Sequence, residues 1–264
     1  MRTFVAGDCR SDNTFTLSDP SEFSEIQFEA EVVKALSCLF PSYFCGVFGG
    51  SFRLDGERHA ADLALIHKGF THWFVVEVEL VSHSLDFHVL PQVRCFRFGE
   101  TETACITSLC NGFPGIDRER AATLLEFVPR SVAVVANRFD PTWALTLKGL
   151  DVQLLTVSVF KGSGGRTAHE VEGSLHVARE NIGFARYSSI DKSLLLPKVC
   201  GLPLGEIQME DPFGTASSWT VREAGSALWV TKNFGDPALP HGEYIHIVRT
   251  FDGRITMKLS GRPA

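Results

Sequence analysis

Trp73 to Leu80 reads WFVVEVEL, an apolar run carrying two carboxylates two positions apart. A short apolar run without helical periodicity predicts a strand covered on both faces of a sheet. Side chains alternate along a strand, so Glu77 and Glu79 point the same way. Burying an acid without a partner costs several kcal/mol, and a like charge beside it raises that cost. A chain that keeps this strand therefore needs something positive against it.

Asp62 is the third acid of the group. It lies in AADLALI, residues 60–66, another apolar setting fifteen positions before Glu77. Phe44 to Leu54 and Arg58 to His67 flank the turn dipeptide Asp55-Gly56, which predicts a hairpin. If its second arm neighbours the WFVVEVEL strand, Asp62, Glu77 and Glu79 converge on one patch. A divalent cation relieves both penalties. Mg²⁺ takes oxygen ligands and keeps several waters, so two carboxylates plus substrate phosphate oxygens suit it. Asp62 and Glu77 are then the metal ligands, and Glu79 positions the water or holds a second metal. The bland alternative leaves the acids solvated on an edge strand or paired with Arg58, Arg94 or Arg97. His83 and His88, just beyond the strand, either serve phosphate and proton transfer or are structural.

Around this strand the pattern is mixed. A polar leader precedes an amphipathic helix over Ser24–Phe40, with Ile26, Val33 and Leu36 on one face and Pro41 closing it. Glu29 shares that face. Helices are also expected over Asp86–Phe98, with Pro91 in its first turn, over Glu119–Phe127 and over Pro141–Leu150. Ser131–Asn137 and Val152–Phe160 read as strands. The order predicts a mixed sheet flanked by helices, an antiparallel meander first and a parallel crossover later. Lys161–Thr167, KGSGGRT, reads as a linker, since the Walker spacing of a phosphate loop is missing. Beyond it, short alternating segments separated by Gly, Pro and Asp predict a small all-β, barrel-like domain. The expected domains are 1–162 and 175–264.

Charge and cysteine content narrow the setting. The net charge of −6 argues against a general polyanion-binding surface. It does not bear on a site whose carboxylates hold cations, because bound metal reverses the local sign. Lys192, Lys198, Arg222, Lys232, Arg249, Arg254 and Lys258 are enough for phosphate contacts by the C-terminal segment, or are solvated surface. Seven cysteines without a CxxC pair suggest free thiols in a reducing cytoplasm rather than disulfides or structural zinc. The N-terminus has no signal-peptide pattern, and no stretch reads as a membrane span. Trp143, Trp219 and Trp229 read as core rather than as base-stacking platforms. No GxSxG elbow marks a serine nucleophile.

The succession of elements over residues 24–160, the Asp62 strand and the acidic pair in VVEVEL resemble the PD-(D/E)XK nuclease superfamily. That resemblance implies a restriction-endonuclease-like α-β-β-β-α-β core and a Mg²⁺- or Mn²⁺-dependent endonuclease cutting DNA, or less often RNA. It also implies that Glu29 joins Asp62 and Glu77 at the metal. The third motif position, usually Lys, is Glu79 here, as in some active restriction endonucleases of the superfamily. Gln92 with Phe96 resembles the Gln-xxx-Tyr element of its exonuclease-like and defence-associated branches, which makes Gln92 a supporting site residue. Resemblance to Shedu-like and restriction-like proteins extends the expectation to defence against foreign DNA. The β domain is then expected to contact DNA, a second copy or a partner protein. The rival is a catalytically inactive binding or assembly module on the same fold.

Overall fold

A computed structural model describes residues 2–6, 14–162, 165–176, 181–250 and 253–260. Cys9 lies outside them. The chain forms two compact units, one of Met1–Lys68, Phe74–Gly115 and Ser131–His176, the other of Gly69–Trp73, Ile116–Arg130 and Val177–Ala264. In chain order the elements are β1 (Arg2–Ala6), β2 (Phe15–Leu17), α1 (Glu25–Leu39), β3 (Tyr43–Val47), β4 (Ser51–Leu54), β5 (Glu57–Ala60), β6 (Leu63–His67), β7 (Trp73–Glu79), α2 (Leu90–Phe98), β8 (Glu100–Thr101) and α3 (Ala104–Gly112). Then come α4 (Arg118–Phe127), β9 (Arg130–Ala136), α5 (Pro141–Gly149), β10 (Val152–Gly162) and β11 (Thr167–Glu172).

The first unit is mixed α/β. Its main sheet runs β1-β11-β10-β9-β7-β6-β3, with β2 also paired to β10. β3 and β6 are antiparallel, whereas β9 and β10 are parallel and joined by α5, the expected crossover. β7 lies inside the sheet between β6 and β9, and all seven of its residues are buried. This is the setting that its unbroken apolar run requires.

Several local expectations change. The hairpin turn is present, with Asp55 and Gly56 both at positive φ (51° and 89°) and Leu54 opposite Glu57. Positive φ at both central positions is the primed turn that matches strand twist. Each arm, however, is broken into two strands: β3 and β6 stay in the main sheet, while β4 and β5 form a separate sheet with β8. The ring of Phe48 folds over Gly50, so a side chain at that position would have to displace the ring. The arms remain bonded through it by Phe48 N–H to the Asp62 carbonyl at 2.7 Å and Gly49 N–H to the Ala61 carbonyl at 3.0 Å.

On α1 the buried stripe is Phe28, Val32, Ala35 and Leu36, and Ile26 is exposed. Of the expected face Leu36 is buried and Val33 half-buried, so the stripe is turned only part-way from it, toward Phe28 and Val32. Lys161–Thr167 is a hairpin connection rather than a linker, because β10 and β11 pair antiparallel on either side of it. The Gly162 N–H bonds the Arg166 carbonyl at 2.8 Å, and residues 163 and 164 lie outside the described residues. The polar leader supplies β1 and β2. Neither has a long apolar signal, and both are held by pairing with strands far along the chain.

The second unit contains a closed barrel of β12 (Asn181–Ser188), β13 (Ser193–Pro197), β14 (Gly205–Glu210), β15 (Ala216–Ala224), β16 (Ala227–Lys232), β17 (Tyr244–Arg249) and β18 (Ile255–Ser260). Its order is β12-β13-β16-β15-β14-β18-β17, closed by β17 against β12. Closure gives every barrel strand two neighbours, although β14 and β18 meet over only two residue pairs among the described residues. Leu194, Trp219, Val230, Ile245 and Ile247 fill the interior. Trp229 points outward, unlike buried Trp143 and Trp219. Lys192, Lys198 and Arg254 face the acids Asp236, Glu223 and Glu210, so three of the seven candidate phosphate contacts are already engaged. The described cysteines are free thiols, and no described helix is long and apolar enough to cross a membrane.

Candidate metal centre

Glu77 and Glu79 are buried on the central strand, with relative exposures of 2% and 0%. Asp62 is not inside a strand as expected. It occupies the bend between β5 and β6, where its Oδ2 accepts the Val78 N–H at 2.8 Å. The side chain thus satisfies a strand donor that would otherwise seek a carbonyl from the neighbouring strand. This anchors Asp62 beside the residue lying between Glu77 and Glu79.

The three carboxyls share one electrostatic neighbourhood. Burial first, then the charges of Asp62 and Glu79, push Glu77 well above the usual carboxylate range, against a hydrogen bond from the Asp62 backbone. Glu77 Oε2 is buried with no hydrogen-bond partner. Asp62 is pushed up to about 7, chiefly by burial, with the Val78 bond opposing and Glu29, Glu25 and Glu79 adding repulsion. Burial also raises Glu79, and the opposing effects of His83 and His88 reduce the rise without reversing it.

The acids from α1 arrive in register. Ser24 caps the helix in a box with Gln27, each side chain taking the other's backbone N–H, which fixes where the helix starts. Glu25 and Glu29 then follow at i and i+4, on one side of the helix. Glu29 is raised by burial and by Glu25, and it is the first charge felt by Asp62.

After β7 the chain turns back and brings two imidazoles over Glu79. His83 Nδ1 is 2.6 Å from Glu79 Oε2, and His88 Nε2 is 3.3 Å from Glu79 Oε1. His88 lies in a π-helical turn over Leu85–Val89 that precedes α2, capped by Ser84. Pro91, in the first turn of α2, has no N–H to continue an α ladder backwards, and the wider turn accommodates it. Glu25, Glu79, His83 and His88 each present a ligand atom, all within 4.8 Å of one another.

The pairings of the bland reading are made elsewhere. Arg58 pairs with Glu102 at 2.8 Å and Arg97 with Asp151 at 2.9 Å, while Arg94 is exposed. Gln92 sits on α2 with Oε1 buried and lacking a hydrogen-bond partner, and Phe96 packs against Phe52 at 5.5 Å. The aromatic of the resembled element therefore serves the core. Asn137, just after β9, accepts the Val81 N–H on Oδ1 at 3.0 Å and donates its own N–H to the Glu79 carbonyl at 3.3 Å. It clamps the exit of β7. Beside this exit is a cleft of about 280 Å³ whose lining includes Leu80, Ser82, Asn137, Arg138 and Asp19.

Glu25 was not picked out from the sequence, although its i, i+4 spacing to Glu29 is a usable signal. Asn137 carried none, because its role depends on the neighbour of β7. No protein-family model, curated protein or solved structure matches this chain.

Proposed function

We propose that the chain is a divalent-metal-dependent phosphodiesterase, an endonuclease acting on DNA. The observation that carries this reading is Glu77: a carboxyl almost fully buried, one oxygen unpartnered, with Asp62 and Glu79 raising its proton affinity further. Such a group is costly unless a cation faces it. Asp62 and Glu77 offer hard oxygen donors of the kind Mg²⁺ or Mn²⁺ takes, and Glu29, which repels Asp62, would share the charge, although the described ligand atoms that gather within 4.8 Å of one another are those of Glu25, Glu79, His83 and His88. When bound, the cation supplies Lewis-acid polarisation of the phosphodiester and acidifies a water.

The protein's own groups do the rest. Val78 holds Asp62 in place, Asn137 fixes the strand exit, and Glu79 orients the attacking water or holds a second cation. Arg138, exposed in the adjoining cleft, supplies a positive charge for a substrate phosphate. A restriction-endonuclease-like core is supported by the central β7, by α1 carrying acids to it, and by the β9-α5-β10 crossover. Cytoplasmic defence against foreign DNA is the role that the Shedu-like resemblance favours, with the barrel contacting DNA or another protein chain. The rival module without turnover draws on Glu79 standing where the superfamily usually has Lys.

The test is incubation of the full chain with duplex DNA, single-stranded DNA and RNA in Mg²⁺, Mn²⁺ or EDTA, beside Glu77→Gln. Cleavage that EDTA stops and Glu77→Gln lowers supports the reading. Undiminished cleavage in EDTA or by the variant, or no cleavage of any substrate, overturns it.

A further inference from the structure

We infer that Glu25, Glu79, His83 and His88 form a separate two-histidine, two-carboxylate site for a divalent first-row transition metal, alongside the Asp62–Glu77 pair. The site goes beyond the proposed nuclease reading and stands on its own geometry. Four ligand atoms from α1, β7 and the turn after β7 lie within 4.8 Å of one another. Ligands about 2.0–2.2 Å from a common ion lie about 3–4.4 Å apart, so only small rotations are needed.

A second observation points to a ligand. Glu79 is fully buried, and its Oε1 faces His88 Nε2 at 3.3 Å without forming a hydrogen bond. The other oxygen makes a 2.6 Å contact with His83 Nδ1, a hydrogen-bonding distance. That spacing is too short for two atoms on one metal, so a metal ion would open it and displace the shared proton.

The donor set selects the metal class. Imidazole nitrogen suits Zn, Fe, Co and Ni, and Mn²⁺ accepts a mixed set, whereas Mg²⁺ prefers oxygen and keeps its waters. The side chain of His88 is 47% exposed and that of His83 30%, and Glu25 is exposed as well, so the site opens to solvent. An octahedral ion held by four protein ligands keeps two positions for water or substrate oxygen. Glu79 lies on the same strand face as Glu77, so this metal would sit next to the carboxyls that suit Mg²⁺.

The experiment uses the full chain, stripped with chelator and titrated with Mn²⁺, with nitrogen coupling read by pulsed electron paramagnetic resonance. His83→Gln, His88→Gln and their double variant are compared with Asp62→Asn, folding being checked by circular dichroism. Both histidines are partly exposed, so these variants should fold. The wild type should show imidazole ¹⁴N coupling that excess Mg²⁺ does not remove and that Asp62→Asn retains. The double variant should lose it, with Mn²⁺ affinity reduced at least as much as by loss of an outer-shell partner, about 10- to 100-fold. Absence of coupling in the wild type, or its persistence in the double variant, overturns the site. Cleavage is not the readout, so an inactive protein would leave this result standing.

Discussion

Asp62 Oδ2 lies 2.8 Å from the Val78 nitrogen, so the backbone of the strand bearing Glu77 and Glu79 holds the third carboxylate. Asp62 thus has a structural and a chemical duty, which substitutions can separate. Asp62→Asn keeps an acceptor for Val78 and removes the charge. It should fold, melt at or above wild type in EDTA, and cut at least about 10- to 100-fold more slowly. Asp62→Ala strands the Val78 N–H and should cost about 1–3 kcal/mol as well. Thermal unfolding and cleavage rates check both. Wild-type cleavage by Asp62→Asn would reduce the residue to its structural duty.

Stability of the metal-free chain should fall as pH rises. Asp62 holds its proton up to about 7 in the folded chain against 3.8 unfolded, so between those values the folded state binds more protons. The stability that this provides is present at low pH and is lost as pH climbs through 7. Glu77, raised well above its ordinary value, continues the loss at higher pH. Thermal midpoints in EDTA should decline from pH 5 to 8, and saturating Mn²⁺ should flatten the decline by binding the ionised carboxyls. A midpoint that climbs over this range without metal would contradict the burial of these acids.

Ser24 should matter beyond helix stability. Its box with Gln27 sets the start of α1 and with it Glu25, the first helical residue. Ser24→Ala should cost about 1 kcal/mol. It should also weaken Mn²⁺ binding, since the first turn frays. Equal loss of stability with unchanged Mn²⁺ affinity would place Glu25 outside the site.

What could be seen in the sequence was whatever a local pattern encodes. The burial of β7 follows from WFVVEVEL, the primed turn from Asp55-Gly56, and the small barrel from closely spaced turns. Missing features depend on long-range pairing. β1 and β2 are strands because β11 and β10 lie beside them, and the packing of the Phe48 ring over Gly50 at the break in the hairpin has no local sequence pattern. Asp62 was legible as a buried acid but not as a bend residue serving Val78. The same limit applied at the site: same-face geometry followed from alternation in β7, whereas the reach back to Glu79 depends on the turn after β7 for His83 and on the π turn for His88.

Glu77 and Glu79 share a face and a strand yet should respond oppositely when neutralised. Glu77 Oε2 has no partner, and burial with Asp62 and Glu79 beside it holds the carboxyl in its protonated form, so folding at neutral pH costs the uptake of a proton. Glu77→Gln removes that cost with little change in shape, and the melting temperature of the metal-free chain at neutral pH should rise. Glu79 is instead bonded to His83 and faces His88. Glu79→Gln relieves repulsion from Glu25 but leaves His83 a neutral amide oxygen in place of a carboxylate, which weakens a hydrogen bond of the charged class worth about 1.5–3 kcal/mol. Its melting temperature should therefore stay level or fall. Cleavage should drop by about 100-fold or more in both, on the scale of losing a positioned acid-base group. The measurements are thermal midpoints in EDTA and cleavage rates in Mn²⁺ for wild type and both variants side by side. Equal stabilisation by the two substitutions would mean that the histidines do not offset the Glu79 charge, and wild-type cleavage by Glu79→Gln would make Glu79 a bystander.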